Sequence, residues 1–222
     1  MNRAQLAGAA LVVAYALAGA SPLRADEASV GPEWDAFGKI AAHFEDATFV
    51  LVSQVRQSDG TMASSTLRVV FRKPHFARCE VIQGNGAGGV AVWRGGDKVL
   101  VRPPGLLSRF VLALNRDDSH VVDARGRGCG QTTLDNFPAD FASGGSISES
   151  AGPEIGGVAT DVVTWIRTPG SSKGDTKKDL YISKTTHLPV ESKVFDGDKL
   201  VEEARFKDIR LDTAIPYESF SL

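Results

Sequence analysis

The 222-residue chain lacks an excess of positive charge. It also has few cysteines and no long apolar run after its first twenty residues. Twenty-five lysines and arginines stand against 27 aspartates and glutamates, a net charge of −2. Nucleic-acid binders ordinarily carry a basic excess, so the balance weighs against that class. There are four histidines, His43, His75, His120 and His187, and none has a second ligand type at metal-binding spacing. The sequence contains no C-x-x-C pair, no G-x-S-x-G elbow and no P-loop. The glycine-rich segments GNGAGG and ARGRGCG do not bridge a strand and a helix as a phosphate-binding turn requires, and they read as turns. Serine is plentiful, but no serine–histidine–acid triad is legible in the sequence, because such triads assemble in space. The reading is therefore not an enzyme, with no metal and no cofactor. Apolar residues at 42 % and charged residues at 23 % describe an ordinary globular chain.

The N-terminus has the mechanics of a secretory leader. Arg3 supplies the positive end, an apolar stretch runs from Leu6 to Ala20, and small residues precede cleavage points after Ala20 or Ala25. The stretch is shorter than the roughly 20 apolar residues a transmembrane helix needs. No cysteine stands near the cleavage points, so no lipid anchor is available there. Loss of residues 1–25, Arg3 and Arg24 among them, leaves 197 residues with a net charge of −4. The expectation is one exported domain, residues 26–222, in the periplasm. Export places Cys79 and Cys129 in an oxidising compartment, where an even pair favours a disulfide.

Periodicity then predicts a mainly β fold. In GPEWDAFGKIAAHF, Trp34, Phe37, Ile40, Ala41 and Phe44 recur at helical spacing, with Pro32 suited to the first turn. After Phe44 the period changes from 3.6 to 2. ATFVLVSQVRQ and MASSTLRVVFRK flank an Asp59-Gly60 turn, and GVAVWRGGDKVLVRPP turns at Gly95-Gly96-Asp97. LLSRFVLALN places Leu106, Leu107, Phe110, Val111 and Leu114 on one helical face, which predicts a short apolar helix. TTLDNFPADF predicts another. Further hairpins follow, the last turning at Asp196-Gly197, for ten or eleven strands in all. So few helices cannot cover a flat sheet of that size, which predicts a strongly curved antiparallel sheet, an unclosed β-barrel with a lid of short helices.

This order of elements resembles the periplasmic outer-membrane lipoprotein carriers, the LolA-like superfamily, as a divergent member. VVFRKPHFARCEV resembles the family's strand–proline–strand passage and VAVWRGGDKVLVRPP its Gly-turned hairpin. The stretch from DLYISK to KDIRL is similar to its closing strands. The resemblance covers most of residues 33–212. It implies an open barrel with helices as a lid over an apolar cavity that takes acyl chains. Trp93 stands alone where the family carries several aromatics, and the cysteine pair is a further departure.

On this reading the cavity is lined by Phe49, Leu51, Leu67, Val69, Phe71 and Trp93, with Phe110 and Leu114 from the lid. Its occupant is a hydrophobic ligand, a lipid or an acylated lipoprotein. A closed, side-chain-filled interior satisfies the same period-2 pattern. It would suit the alternative, an envelope sensor or scaffold that contacts a protein partner through an exposed apolar patch. Arg125 and Arg127 in R-G-R-G are candidates for holding an anionic group, and the acidic D-D-S-H-V-V-D stretch for a cation; solvated loops explain both. A hydrolase would require a cleft joining a serine or cysteine to His120 or His187 and an acid.

Overall fold

The computed structural model describes residues 30–142, 144–168 and 174–222, so the leader assigned to residues 1–25 lies outside the described residues. Helix α1 spans Pro32–His43. Proline at its start costs no hydrogen bond, and Glu33 and Asp35 complement the positive end of the helix dipole. The first free backbone N–H groups are captured from far along the chain: Glu149 Oε2 accepts from Trp34 N at 2.8 Å. Phe37 and Ala41 form the buried face.

Eleven strands among the described residues then build one antiparallel sheet. The first six are β1 (Asp46–Arg56), β2 (Met62–Arg72), β3 (Phe76–Gly84), β4 (Val90–Trp93), β5 (Lys98–Arg102) and β6 (Leu112–Asn115). The last five are β7 (Gly145–Ala151), β8 (Thr160–Arg167), β9 (Lys177–Ser183), β10 (Pro189–Asp196) and β11 (Lys199–Leu211). The order across the sheet is β6-β5-β4-β3-β2-β1-β11-β10-β9-β8-β7. Each neighbour is a hairpin partner except β1 and β11, which meet in the middle of the sheet. Strands β6 and β7 are its two ends and do not pair, so the barrel is unclosed, as the curvature argument predicts. Helix α2 spans Asn136–Ala142, where TTLDNFPADF predicts a helix.

The helix expected over Leu106–Leu114 does not form. Gly105–Leu107 make a single 3₁₀ turn and Leu112–Asn115 become β6, paired to β5 through Val101↔Leu112 and Lys98↔Asn115. A helix this short is marginal unless a tertiary surface holds it. The outer backbone groups of β5 offer hydrogen bonds that a helix would leave unused. The strand therefore wins despite the 3–4 spacing of the leucines. Phe110 and Leu114 consequently belong to an edge hairpin and not to a lid helix.

Among the described residues, three apolar clusters hold the fold. The first packs Phe44, Phe49, Val69, Phe71, Ala77 and Leu134 on the concave face, with Phe137 and Phe206 against them. The second joins α1 and α2 to β8 and β9 through Phe37, Phe141, Trp165, Leu180 and Ile182. The third lies on the convex face, where Ile215 and the fully buried Phe220 cover Val92. Arg72, Arg78 and Arg94 tie this C-terminal segment down by donating to the carbonyls of Ile215, Ser221 and Phe220 at 2.6, 2.8 and 2.7 Å. Both helices thus fill one end of the concave face, and the other end stays open.

Candidate functional site

The open end of the concave face is a cavity of about 1260 Å³, larger than the roughly 300–1,000 Å³ usual for small-molecule sites. Strand register explains why it exists. Ser53 of β1 faces Ser65 of β2 on one side and Ala204 of β11 on the other, and Ala204 faces Ser192 of β10. Four small side chains thus form one continuous row across four strands, and all four line the cavity. The adjoining row nearer the helices carries Leu51, Leu67 and Phe206, which begin the packed core. The row nearer the mouth carries Val55, Ala63, Glu202 and Val194. Side chains as short as serine and alanine do not reach across a curved sheet, so the interior is packed at one end and hollow at the other.

The segment after β6 forms the wall opposite the sheet. A Cys79–Cys129 disulfide pins it to β3, joining the two cysteines the sequence pairs by compartment. Gly130 lets the backbone lie flat on the indole of Trp93: a Cβ there would sit 2.4 Å from the ring. The R-G-R-G turn points inward, and its arginines meet acids of the chain itself. Arg127 Nη2 contacts Glu202 Oε2 at 2.6 Å and Asp123 Oδ2 at 2.9 Å. Arg125 pairs with Asp175 and reaches Glu202 at 3.7 Å. Burial pushes the Glu202 carboxyl above its ordinary range, against the pull of Arg127 and Arg125. Burial also works against the Arg127 guanidinium, but Glu202 and Asp123 more than offset it and hold it charged. Helix α2 is strapped to the sheet by Lys178, whose Nζ lies 2.7 Å from Asp140 Oδ1.

Of the eight residues expected to line the cavity, Leu51 and Leu67 do so. Phe49, Val69 and Phe71 are buried in the adjoining core, and Trp93 packs beside them under the wall segment. Phe110 is 50 % exposed on the β5–β6 loop, and Leu114 is half-buried on the edge strand. The structure therefore brings six of the eight to one concave face and leaves Phe110 and Leu114 at the sheet edge. Periodicity does not mark Ser53, Ser65, Ser192 and Ala204 as site residues, because the row emerges only from register. Arg127 and Glu202 are 75 positions apart, and nothing local in sequence pairs them.

The histidines sit with carboxylates. His120 Nδ1 lies 2.7 Å from Asp118 Oδ1, and His187 Nδ1 lies 2.5 Å from Glu33 Oε2. No serine hydroxyl bonds to either ring among the described residues, and both cysteines are in the disulfide. No group of three or more metal-ligating side chains converges among the described residues either. No helix of the described residues is long and apolar enough to cross a membrane.

Solved structures share this architecture. An uncharacterized conserved protein from Thermus thermophilus superposes with a TM-score of 0.51 at 12 % identity, covering 85 % of this chain and 90 % of that one. The likeness is one of fold. A LolA superfamily protein from Nitrosomonas europaea covers 85 % of this chain and 97 % of its own, at 10 % identity and a TM-score of 0.40. The MucA/MucB complex structure of Pseudomonas aeruginosa covers 86 % of this chain and 59 % of that one, at 14 % identity and a TM-score of 0.48. No protein-family model matches the sequence, and no curated protein sequence does either. At such identity the likeness is one of fold, and no residue role transfers.

Proposed function

We propose that the protein is an exported carrier that holds a hydrophobic or acylated chain, from a lipid or a lipoprotein, in the concave cavity. It works in the periplasm as one domain, residues 26–222, after loss of the leader. The observation that carries this reading is the row Ser65–Ser53–Ala204–Ser192, which keeps the interior hollow beside a well-packed core. An alkyl chain laid across the row, parallel to the strands, meets Leu51 and Leu67 at its inner end and Val55 and Val194 nearer the mouth. Each methylene removed from water there contributes about 0.8 kcal/mol. Glu202, Arg127 and Arg102 lie towards the mouth, where the polar end of an acylated ligand meets them. Binding is the role; no covalent step is assigned to any residue.

Native mass spectrometry of protein purified from the envelope tests this. The expected result is a co-purifying or exchangeable alkyl-chain adduct that organic extraction removes. Protein that neither carries nor accepts such a chain would refute the proposal. The alternative role, a sensor or scaffold that only contacts a protein, expects a filled interior, and the hollow half of the barrel favours the carrier over it.

A further inference from the structure

The turn that follows β5 is apolar and lies in the open. Leu106 is 93 % exposed, and Leu107, Phe110, Val111 and Leu112 are each between 44 and 57 % exposed. Five large apolar side chains within seven consecutive positions are more than scattered surface hydrophobicity. Their place in the fold is specific. Strand pairing puts the β1–β2, β3–β4 and β5–β6 connections at one end of the sheet. Gln57, Gly86, Arg102, Pro103 and Pro104 from these connections line the cavity. The apolar turn begins directly after Pro104, so it stands on the rim of the cavity's mouth.

Charge identifies what the patch meets. From Lys98 to Arg116 the chain carries four cations and no acid, within a protein of net charge −2. Arg102 and Arg109, which bracket the turn, enter no ion pair among the described residues. The Arg109 guanidinium lies 5.3 Å from the centre of the Phe110 ring. Exposed leucine and phenylalanine beside unpaired arginines match the chemistry of an anionic bilayer surface: apolar groups enter the acyl boundary and cations meet the headgroups. A protein strand added to the sheet edge explains the pattern less well. Strand β6 is four residues long, and Leu106 and Leu107 lie in a 3₁₀ turn, which offers no strand ladder.

We propose that the β5–β6 loop is a membrane-docking patch that seats the cavity's mouth on anionic phospholipid. The proposal goes beyond the carrier reading, and docking does not require a loaded cavity. Flotation with vesicles of phosphatidylcholine alone and of phosphatidylcholine with phosphatidylglycerol tests it, using the exported protein. The wild type is expected to float with the anionic vesicles. Leu106→Ser with Phe110→Ser is expected to weaken binding about tenfold. Arg109→Gln is expected to reduce its sensitivity to raising salt from about 0.1 to about 0.5 M. Both variants should melt with the wild type, because the altered side chains carry little of the core. No flotation of the wild type, equal flotation of the variants, or equal binding to neutral vesicles would overturn the proposal, as would cross-linking of the patch to a protein without vesicle binding. Native mass spectrometry of the same variants reads cavity occupancy separately, so docking and carriage fail independently.

Discussion

Arg127 Nη2 lies 2.6 Å from Glu202 Oε2 in the wall of the concave cavity, and the Glu202 side chain is only 5 % exposed. Removing Arg127 leaves the buried Glu202 carboxyl with only the longer contact to Arg125, at 3.7 Å. Arg127→Ala is therefore expected to cost about 1–3 kcal/mol of folding stability, measured by chemical denaturation. The double variant Arg127→Met with Glu202→Leu removes both charges and should recover most of that loss. If the double variant is as unstable as the single one, the pair is not the source of the effect.

Asp46 predicts the acid side of the stability profile. It is buried, which raises its pKa, but it accepts from Ile215 N at 3.0 Å, Thr213 N at 2.8 Å and Thr213 Oγ1 at 3.0 Å. These bonds outweigh burial and hold the carboxyl below its ordinary value of 3.8. A folded-state pKa below the unfolded one contributes stability that is present above the unfolded pKa and is lost as pH falls through the folded one. Asp46→Ala should cost about 2 kcal/mol near neutral pH, and its stability should fall less than the wild type's below about pH 4. Parallel acid limbs for the two proteins would contradict this assignment. Glu202 runs the other way. Its raised pKa gives a contribution present below the unfolded value and lost as pH rises through the folded one, so Glu202→Gln should flatten stability on the neutral side.

The Cys79–Cys129 bridge closes a loop of 50 residues and ties the cavity wall to β3. Replacing both cysteines by alanine should lower stability by up to about 4 kcal/mol. The loss should match that produced by reducing the wild type. It should also raise protease cleavage within residues 116–128, because the wall segment is anchored there by the bridge and by Arg127. Unchanged melting under reducing conditions would show that the bridge carries no structural weight.

The strands could be read from sequence because each one announces its own period. Phe49, Leu51 and Val55 alternate along β1, and Val69 and Phe71 along β2, and their inward face is buried as alternation requires. The segment Leu106–Leu114 misled because its leucines satisfy a helical stripe while an unpaired sheet edge lay beside it, and only tertiary structure decides between them. The cavity was legible only in outline. Ser53 and Ser65 look like ordinary strand serines until register aligns them with Ala204 and Ser192. Arg127 with Glu202 and Asp46 with Ile215 are long-range polar pairs, set by topology and leaving no local pattern.

The most direct test of the central claim is titration of wild-type protein and of Ser65→Trp with a fluorescent long-chain fatty acid. Ser65 stands on the small-residue row and is only half-buried, so an indole there fills the cavity while the sheet stays intact. The wild type should bind the probe, and Ser65→Trp should bind it at least about tenfold more weakly while melting at a similar temperature. Equal binding by both proteins, or none by the wild type, would contradict a cavity built to hold a chain.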